Sequence, residues 1–141
     1  MFTGEYQHSL DAKGRIILPS RIRSQLESGL VITRGLDRCL WIMAQGEWDA
    51  WAERLRAQPR TGDPRFRDFL RFIFSGVHED RPDKQGRITV PEHLREYAGL
   101  DRDVTVMGVG PRVEVWNRER WAERLPEAEA AMQENLTDLP L

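Results

Sequence analysis

Hydrophobic positions along the chain fall into short runs separated by glycine, proline and charged residues, and their spacing changes from run to run. Residues 15–18 and 87–90 are rich in β-branched side chains, and each run stops at a proline, Pro19 or Pro91. This predicts two strands, each followed by a helix start, because proline cannot continue a ladder but suits the first turn of a helix. Ile22 with Leu26, and Leu94 with Ala98, are spaced i, i+4 and predict one buried face per short helix, ended by Gly29 and Gly99. Two strand pairs follow, 30–33 with 40–43 and 104–107 with 112–116, reversing at residues 35–38 and 108–111. Trp48, Trp51, Ala52 and Leu55 have helical spacing, as do Phe66, Phe69, Leu70 and Ile73 beyond a Pro/Gly loop at 58–64. Phe72 and Phe74 widen the second helix's apolar surface past one stripe, which predicts burial on two sides, at a core or a subunit boundary. A third helix is predicted from Asn117, a good N-cap, through Trp121 and Leu125. After Pro126 the chain is acidic, and a loosely held helix giving way to disorder is expected there.

These elements are arranged as an internal repeat. Residues 11–23 and 83–95 share Asp, Gly, Arg, Ile, Pro and a final Arg at an offset of 72, six identities in thirteen positions. The likeness continues at an offset of 73 through residues 31–35 and 104–108, and then Trp48 falls on Trp121. A competing register at an offset of 70 makes residues 51–55 identical to 121–125, and both remain open. The predicted organisation is a first repeat at 1–56, a linking loop and apolar helix at 57–76, a second repeat at 77–125 and an acidic tail at 126–141. The fold class expected is β-rich α+β.

Composition then narrows the function classes. The chain has 141 residues and a formal net charge of −2, with 21 Lys+Arg against 23 Asp+Glu. A uniformly basic nucleic-acid binder is excluded, so positive charge has to be local. The longest apolar run, residues 39–44, is six long, far short of the roughly 20 that span a bilayer. The first residues have neither the basic nor the apolar stretch of a secretory signal. A lone cysteine, Cys39, excludes an internal disulfide and a multi-cysteine zinc cage, and a cytoplasmic location is expected.

Candidate chemistry concentrates in the repeated Asp-x-x-Gly-Arg turn. In a purely structural turn Asp caps, Gly supplies positive φ and Arg pairs with Asp. The first copy, however, holds Lys13, Arg15, Arg21 and Arg23 against Asp11 alone, a local net of +3. The second copy is weaker, with Lys84, Arg87 and Arg95 against Asp83 and Glu92. A two-stranded ribbon fits the major groove, where Arg bonds a guanine edge and Lys holds phosphate. Candidate DNA contacts are therefore Lys13, Arg15, Arg21, Arg23, Lys84 and Arg87, on turns built by Asp11, Gly14, Asp83 and Gly86. Two repeat-related aspartates also suggest an aspartic-protease pair. That chemistry wants a small hydroxyl residue and glycine directly after Asp, whereas Ala12-Lys13 and Lys84-Gln85 stand there. His8, His78 and His93 lack ligand spacing. No enzymatic activity, cofactor, metal or small-molecule substrate is expected.

The tandem Asp-x-x-Gly-Arg-x-x-x-Pro-x-x-x-Arg pattern resembles the MraZ family of bacterial transcriptional regulators, within the AbrB/MazE-like superfamily. The resemblance includes Phe2 to Tyr6, His8 to Asp11, Phe72 to Gly76 and Val113 to Trp116. It implies a tandem-repeat, swapped-hairpin (AbrB-like, double-split) β-barrel with flanking helices, assembling into a ring-like homo-oligomer. It also implies binding to repeated boxes in double-stranded promoter DNA of the division and cell-wall gene cluster, in the nucleoid. The family's Asp-x-x-x-Arg signature maps onto Asp11/Arg15 and Asp83/Arg87. The same superfamily includes antitoxins, so a toxin-neutralising interaction module is the alternative.

Overall fold

The computed structural model describes residues 1–134 and 136–140. Its strands are β1 (Glu5–Ser9), β2 (Arg15–Ile17), β3 (Leu30–Arg34), β4 (Leu40–Ala44), β5 (His78–Asp80), β6 (Arg87–Thr89), β7 (Asp103–Gly108) and β8 (Val113–Asn117). The helices are α1 (Ser20–Arg23), α2 (Gln45–Arg56), α3 (Pro64–Ser75), α4 (Glu92–Ala98) and α5 (Arg118–Glu134). The fold is α+β, with all strand pairs antiparallel. Among the described residues no helix is long and apolar enough to cross a membrane.

One sheet runs in the order β1-β7-β8-β4-β3-β5, and β2 pairs with β6 in a separate ribbon. Each repeat thus lends its first strand to the other: β1 pairs with β7, and β5 pairs with β3. The pairings are symmetric about two points. Ile16 lies opposite Ile88 in the ribbon, and these are equivalent residues at the offset of 72. Trp41 lies opposite Glu114 at the centre of the large sheet, equivalent at the offset of 73. A pseudo-twofold axis therefore passes through both pairs. At the second, the Trp41 and Trp116 indoles donate to the two oxygens of Glu114 at 3.1 and 3.0 Å. The starts of β3 and β7, of β4 and β8, and of α2 and α5 all differ by 73, so Trp48 corresponds to Trp121.

The large sheet is covered on both faces, which explains why β3 and β4 read as continuous apolar runs rather than as alternation. One face packs Leu30, Ile32, Leu40 and Ile42 against Ile16 and Ile88 of the ribbon and Ile22 and Leu94 of the short helices. The other packs Val31, Trp41 and Met43 against Trp48 of α2, Ile73 of α3 and Trp116. α3 is fixed by its own carbonyls: Thr33 Oγ1 donates to the Ile73 carbonyl at 2.6 Å and Arg34 Nη1 to that of Phe72 at 2.9 Å. These bonds satisfy acceptors that a helix C-terminus otherwise leaves open.

One expectation is revised. α1 is only four residues long, and Gly29 has φ +126° rather than the left-handed cap geometry found at Gly99, φ +62°. The cause is local, because Ser24 Oγ and Gln25 Nε2 both donate to the Arg21 carbonyl and compete with helix propagation. In α3 only Ile73 is buried, while Phe66, Phe69, Phe72 and Phe74 are half-buried. α5 begins at the Asn117 cap, whose Oδ1 accepts from Arg120 N at 3.0 Å, and continues through Pro126 to Glu134. Asn135 and Leu141, within the tail expected to lose order, lie outside the described residues.

Ile73 is the fully buried member of α3, so removing its methyl groups opens a void between helix and sheet. Ile73→Ala is expected to lower unfolding free energy by about 2–4 kcal/mol, measured by urea denaturation.

Candidate nucleic-acid interface

The two turns are copies of each other at the level of single atoms. Asp11 Oδ1 accepts from the backbone N–H groups of Lys13 and Arg15, both at 2.9 Å, and Oδ2 accepts from Arg15 Nε at 2.7 Å. Asp83 Oδ1 accepts from Gln85 and Arg87 at 2.9 Å each, and Oδ2 from Arg87 Nε at 2.8 Å. Gly14 and Gly86 donate back to the Asp11 and Asp83 carbonyls and take φ +75° and +78°. Only glycine adopts that conformation freely. The aspartate thus shapes the turn through its backbone bonds, and it also aims the arginine that follows.

Strand alternation does the rest. In β2 and β6 the middle residues, Ile16 and Ile88, point into the core, so their neighbours point outward. Arg15 lies opposite Thr89, and Ile17 lies opposite Arg87. The outer face of the ribbon is therefore a two-by-two array in which the two signature arginines share one diagonal, about 7–8 Å apart in Cα terms. Residues 72 apart in sequence meet on one surface because the ribbon's two strands come from different repeats.

The final arginine of each motif braces the other repeat. Arg95 Nη1 donates to the Val90 carbonyl at 2.6 Å, and its guanidinium fills the space a side chain at Gly14 would need. Arg23 occupies the matching space at Gly86. Backbone bonds join the same places, from Val90 N to the Gly14 carbonyl at 2.8 Å and from Leu18 N to that of Gly86 at 2.9 Å.

The candidate residues consequently separate by position. Arg15 and Arg87 sit together on the ribbon face, and Lys13 and Lys84 are exposed at the turn tips. Arg21 is exposed on α1, whereas Arg23 is packed against the opposite turn. Arg95 is not among the candidates that charge suggests, yet it is identical to Arg23 in motif position, and that identity is the signal for its role. Ile17 and Thr89 share the face with the arginines and carry no charge to mark them.

Backbone donors, led by Arg87 N–H, hold the Asp83 carboxyl down to about 2 from 3.8, and those led by Arg15 N–H lower Asp11. A proton-sharing pair needs one carboxyl raised, so this electrostatic setting opposes the protease reading. Among the described residues no cluster of three His, Cys, Asp or Glu side chains is placed to hold a metal.

Comparison with known proteins gives a consistent answer. The family described as "MraZ protein, putative antitoxin-like" matches residues 1–72 and again residues 73–139. "Transcriptional regulator MraZ" of Micrococcus luteus is 48% identical over 139 residues, covering 99% of this chain and 96% of that protein. The protein of the same name from Carboxydothermus hydrogenoformans is 46% identical over 134 residues, covering 95% and 93%. That from Acetivibrio thermocellus is 51% identical over 121 residues, covering 86% and 84%. The chain belongs to the MraZ family.

Because Asp83 is held near 2, its ionised form supports the turn fully above its unfolded value of 3.8, and that support fades as pH falls toward 2. Carboxyl-detected NMR titration is expected to place the Asp83 midpoint near 2, and Arg87→Ala is expected to raise it only part of the way to 3.8, because the backbone donors of residues 85 and 87 remain.

Proposed function

We propose that this MraZ-family chain is a DNA-binding transcriptional regulator that presents the outer face of the β2–β6 ribbon to the major groove of promoter DNA. The observation carrying this reading is the meeting of Arg15 and Arg87 on one exposed ribbon face, each aimed by its own aspartate. Relatives named as transcriptional regulators over nearly their whole length support the role. The aspartate occupies Arg15 Nε and Arg87 Nε, so the terminal nitrogens are the groups offered to a guanine O6/N7 edge. Lys13, Lys84 and Arg21 supply phosphate contacts around them, while Arg23 acts by holding the Gly86 turn in shape. The targets are repeated boxes upstream of the division and cell-wall gene cluster, in the cytoplasm at the nucleoid.

In this reading the exchange of β1 and β5 makes a swapped-hairpin barrel of AbrB-like type, built from repeats at 1–56 and 77–125. Residues 57–76 link them, and 126–141 form the acidic tail. A ring of copies places several ribbons on one face, which raises avidity for repeated boxes although each chain is slightly acidic. The groove of about 630 Å³ between α2 and α3, lined by Trp51, Leu55, Phe66 and Phe69, supports a subunit boundary there. The family description's "antitoxin-like" favours a second reading, a module that neutralises a protein partner; it requires no affinity for promoter DNA.

Gel-shift titration on the DNA upstream of the chain's own gene tests the reading. Arg15→Ala is expected to weaken specific binding by about 1–3 kcal/mol and to relax sequence preference. Arg15→Lys keeps the charge but loses the forked geometry, and it is expected to retain non-specific binding while losing selectivity. An assembled Arg15→Ala protein with unchanged affinity and selectivity contradicts the assignment.

A further inference from the structure

Ile17 is the one large hydrophobic residue in a strand that stands exposed among the described residues, at 53%. The other exposed large hydrophobics lie at chain ends, in turns or on α5. Its neighbour Ile16 is fully buried, so the ribbon has ample apolar anchoring on its inner side and gains nothing from an isoleucine on its outer side. That outer side is also where Arg15 and Arg87 stand. Ile17 is directly opposite Arg87 and two residues along the strand from Arg15, a spacing of about 7 Å. Its repeat equivalent, Thr89, is directly opposite Arg15. Cations therefore occupy one diagonal of the face, and methyl-bearing side chains occupy the other.

We propose that Ile17 is a specificity-determining residue that recognises the C5-methyl group of thymine in the major groove, flanking the bases met by Arg15 and Arg87. The inference rests on the DNA-binding reading of the ribbon and adds a base preference to it. The thymine methyl is the apolar feature of major-groove base edges, and aliphatic side chains are its usual partners. Two residues of strand match about two base steps, so one ribbon face addresses a guanine edge and a nearby thymine together. The halves of the face are unequal. Ile17 is wholly apolar, whereas Thr89 brings a hydroxyl beside its methyl, so thymine discrimination falls mainly on the half-site that Ile17 meets.

The test removes the thymine methyl from the DNA and the aliphatic group from the protein in turn. Equilibrium binding is measured on the upstream duplex and on the same duplex synthesised with deoxyuridine in place of every thymidine, with a scrambled duplex as the non-specific reference. The wild-type chain is expected to bind the deoxyuridine duplex about two- to fivefold more weakly for each thymine methyl that Ile17 covers. Ile17→Ser is expected to bind the thymidine duplex with that weaker affinity and to lose most of the difference between the two duplexes, while Ile17→Val keeps most of the discrimination. Melting temperature and light-scattering mass of Ile17→Ser should match the wild type, since the side chain is exposed. Equal wild-type affinity for the two duplexes, with the scrambled one bound more weakly, overturns the role of Ile17 and leaves the DNA reading standing. Discrimination that survives undiminished in Ile17→Ser overturns it too. Failure to prefer the upstream duplex over the scrambled one overturns the DNA reading and this inference with it.

Discussion

The contact on which the structure depends is the antiparallel pairing of β2 with β6 across Ile16 and Ile88. A three-residue strand has too little surface to be stable alone. Pairing the two copies buries both isoleucines against the large sheet. Once Ile16 and Ile88 face inward, the period of a strand forces Arg15, Ile17, Arg87 and Thr89 outward. The exposed face is thus a consequence of core packing. Reciprocal bracing extends the constraint: Arg23 and Arg95 each close over the other repeat's turn glycine, so neither turn is shaped by its own repeat alone.

The same arrangement resolves the charge balance. A chain of net −2 would repel DNA on average, but the acidic residues of the two turns, Asp11 and Asp83, are committed to backbone donors and to one nitrogen of each arginine. Such exposed ion pairs contribute little to stability, because water screens them. Their effect is geometric, because fixing Nε limits the directions in which the remaining guanidinium nitrogens point. Other acidic residues lie elsewhere, with Glu127, Glu129 and Glu134 on α5.

Much of this was legible in the sequence. The repeated Asp, Gly, Arg and Pro marked the turns, and β-branched runs located the strands, because both depend on neighbouring residues. Local pattern did not show which strands pair, since pairing partners are set by packing between distant segments; a swapped hairpin came only as what the family resemblance implies. The short α1 was hidden because its capping competitors, Ser24 and Gln25, look like ordinary helix surface. Among the candidate residues, charge and the repeat drew attention to Arg15 and Arg87 together. Charge alone could not separate an arginine that faces solvent from Arg23, which packs on a glycine, and it had nothing to say of Ile17.

The central claim is that the two repeats build a single DNA-reading surface rather than two. A structure of the chain bound to the duplex upstream of its gene tests it most directly. The account predicts one ribbon in one major groove, with Arg15 and Arg87 both at base edges and both aspartate pairs intact. A duplex seated on the α2–α3 groove and its arginines Arg54, Arg60 and Arg65, with the ribbon facing solvent, would contradict it.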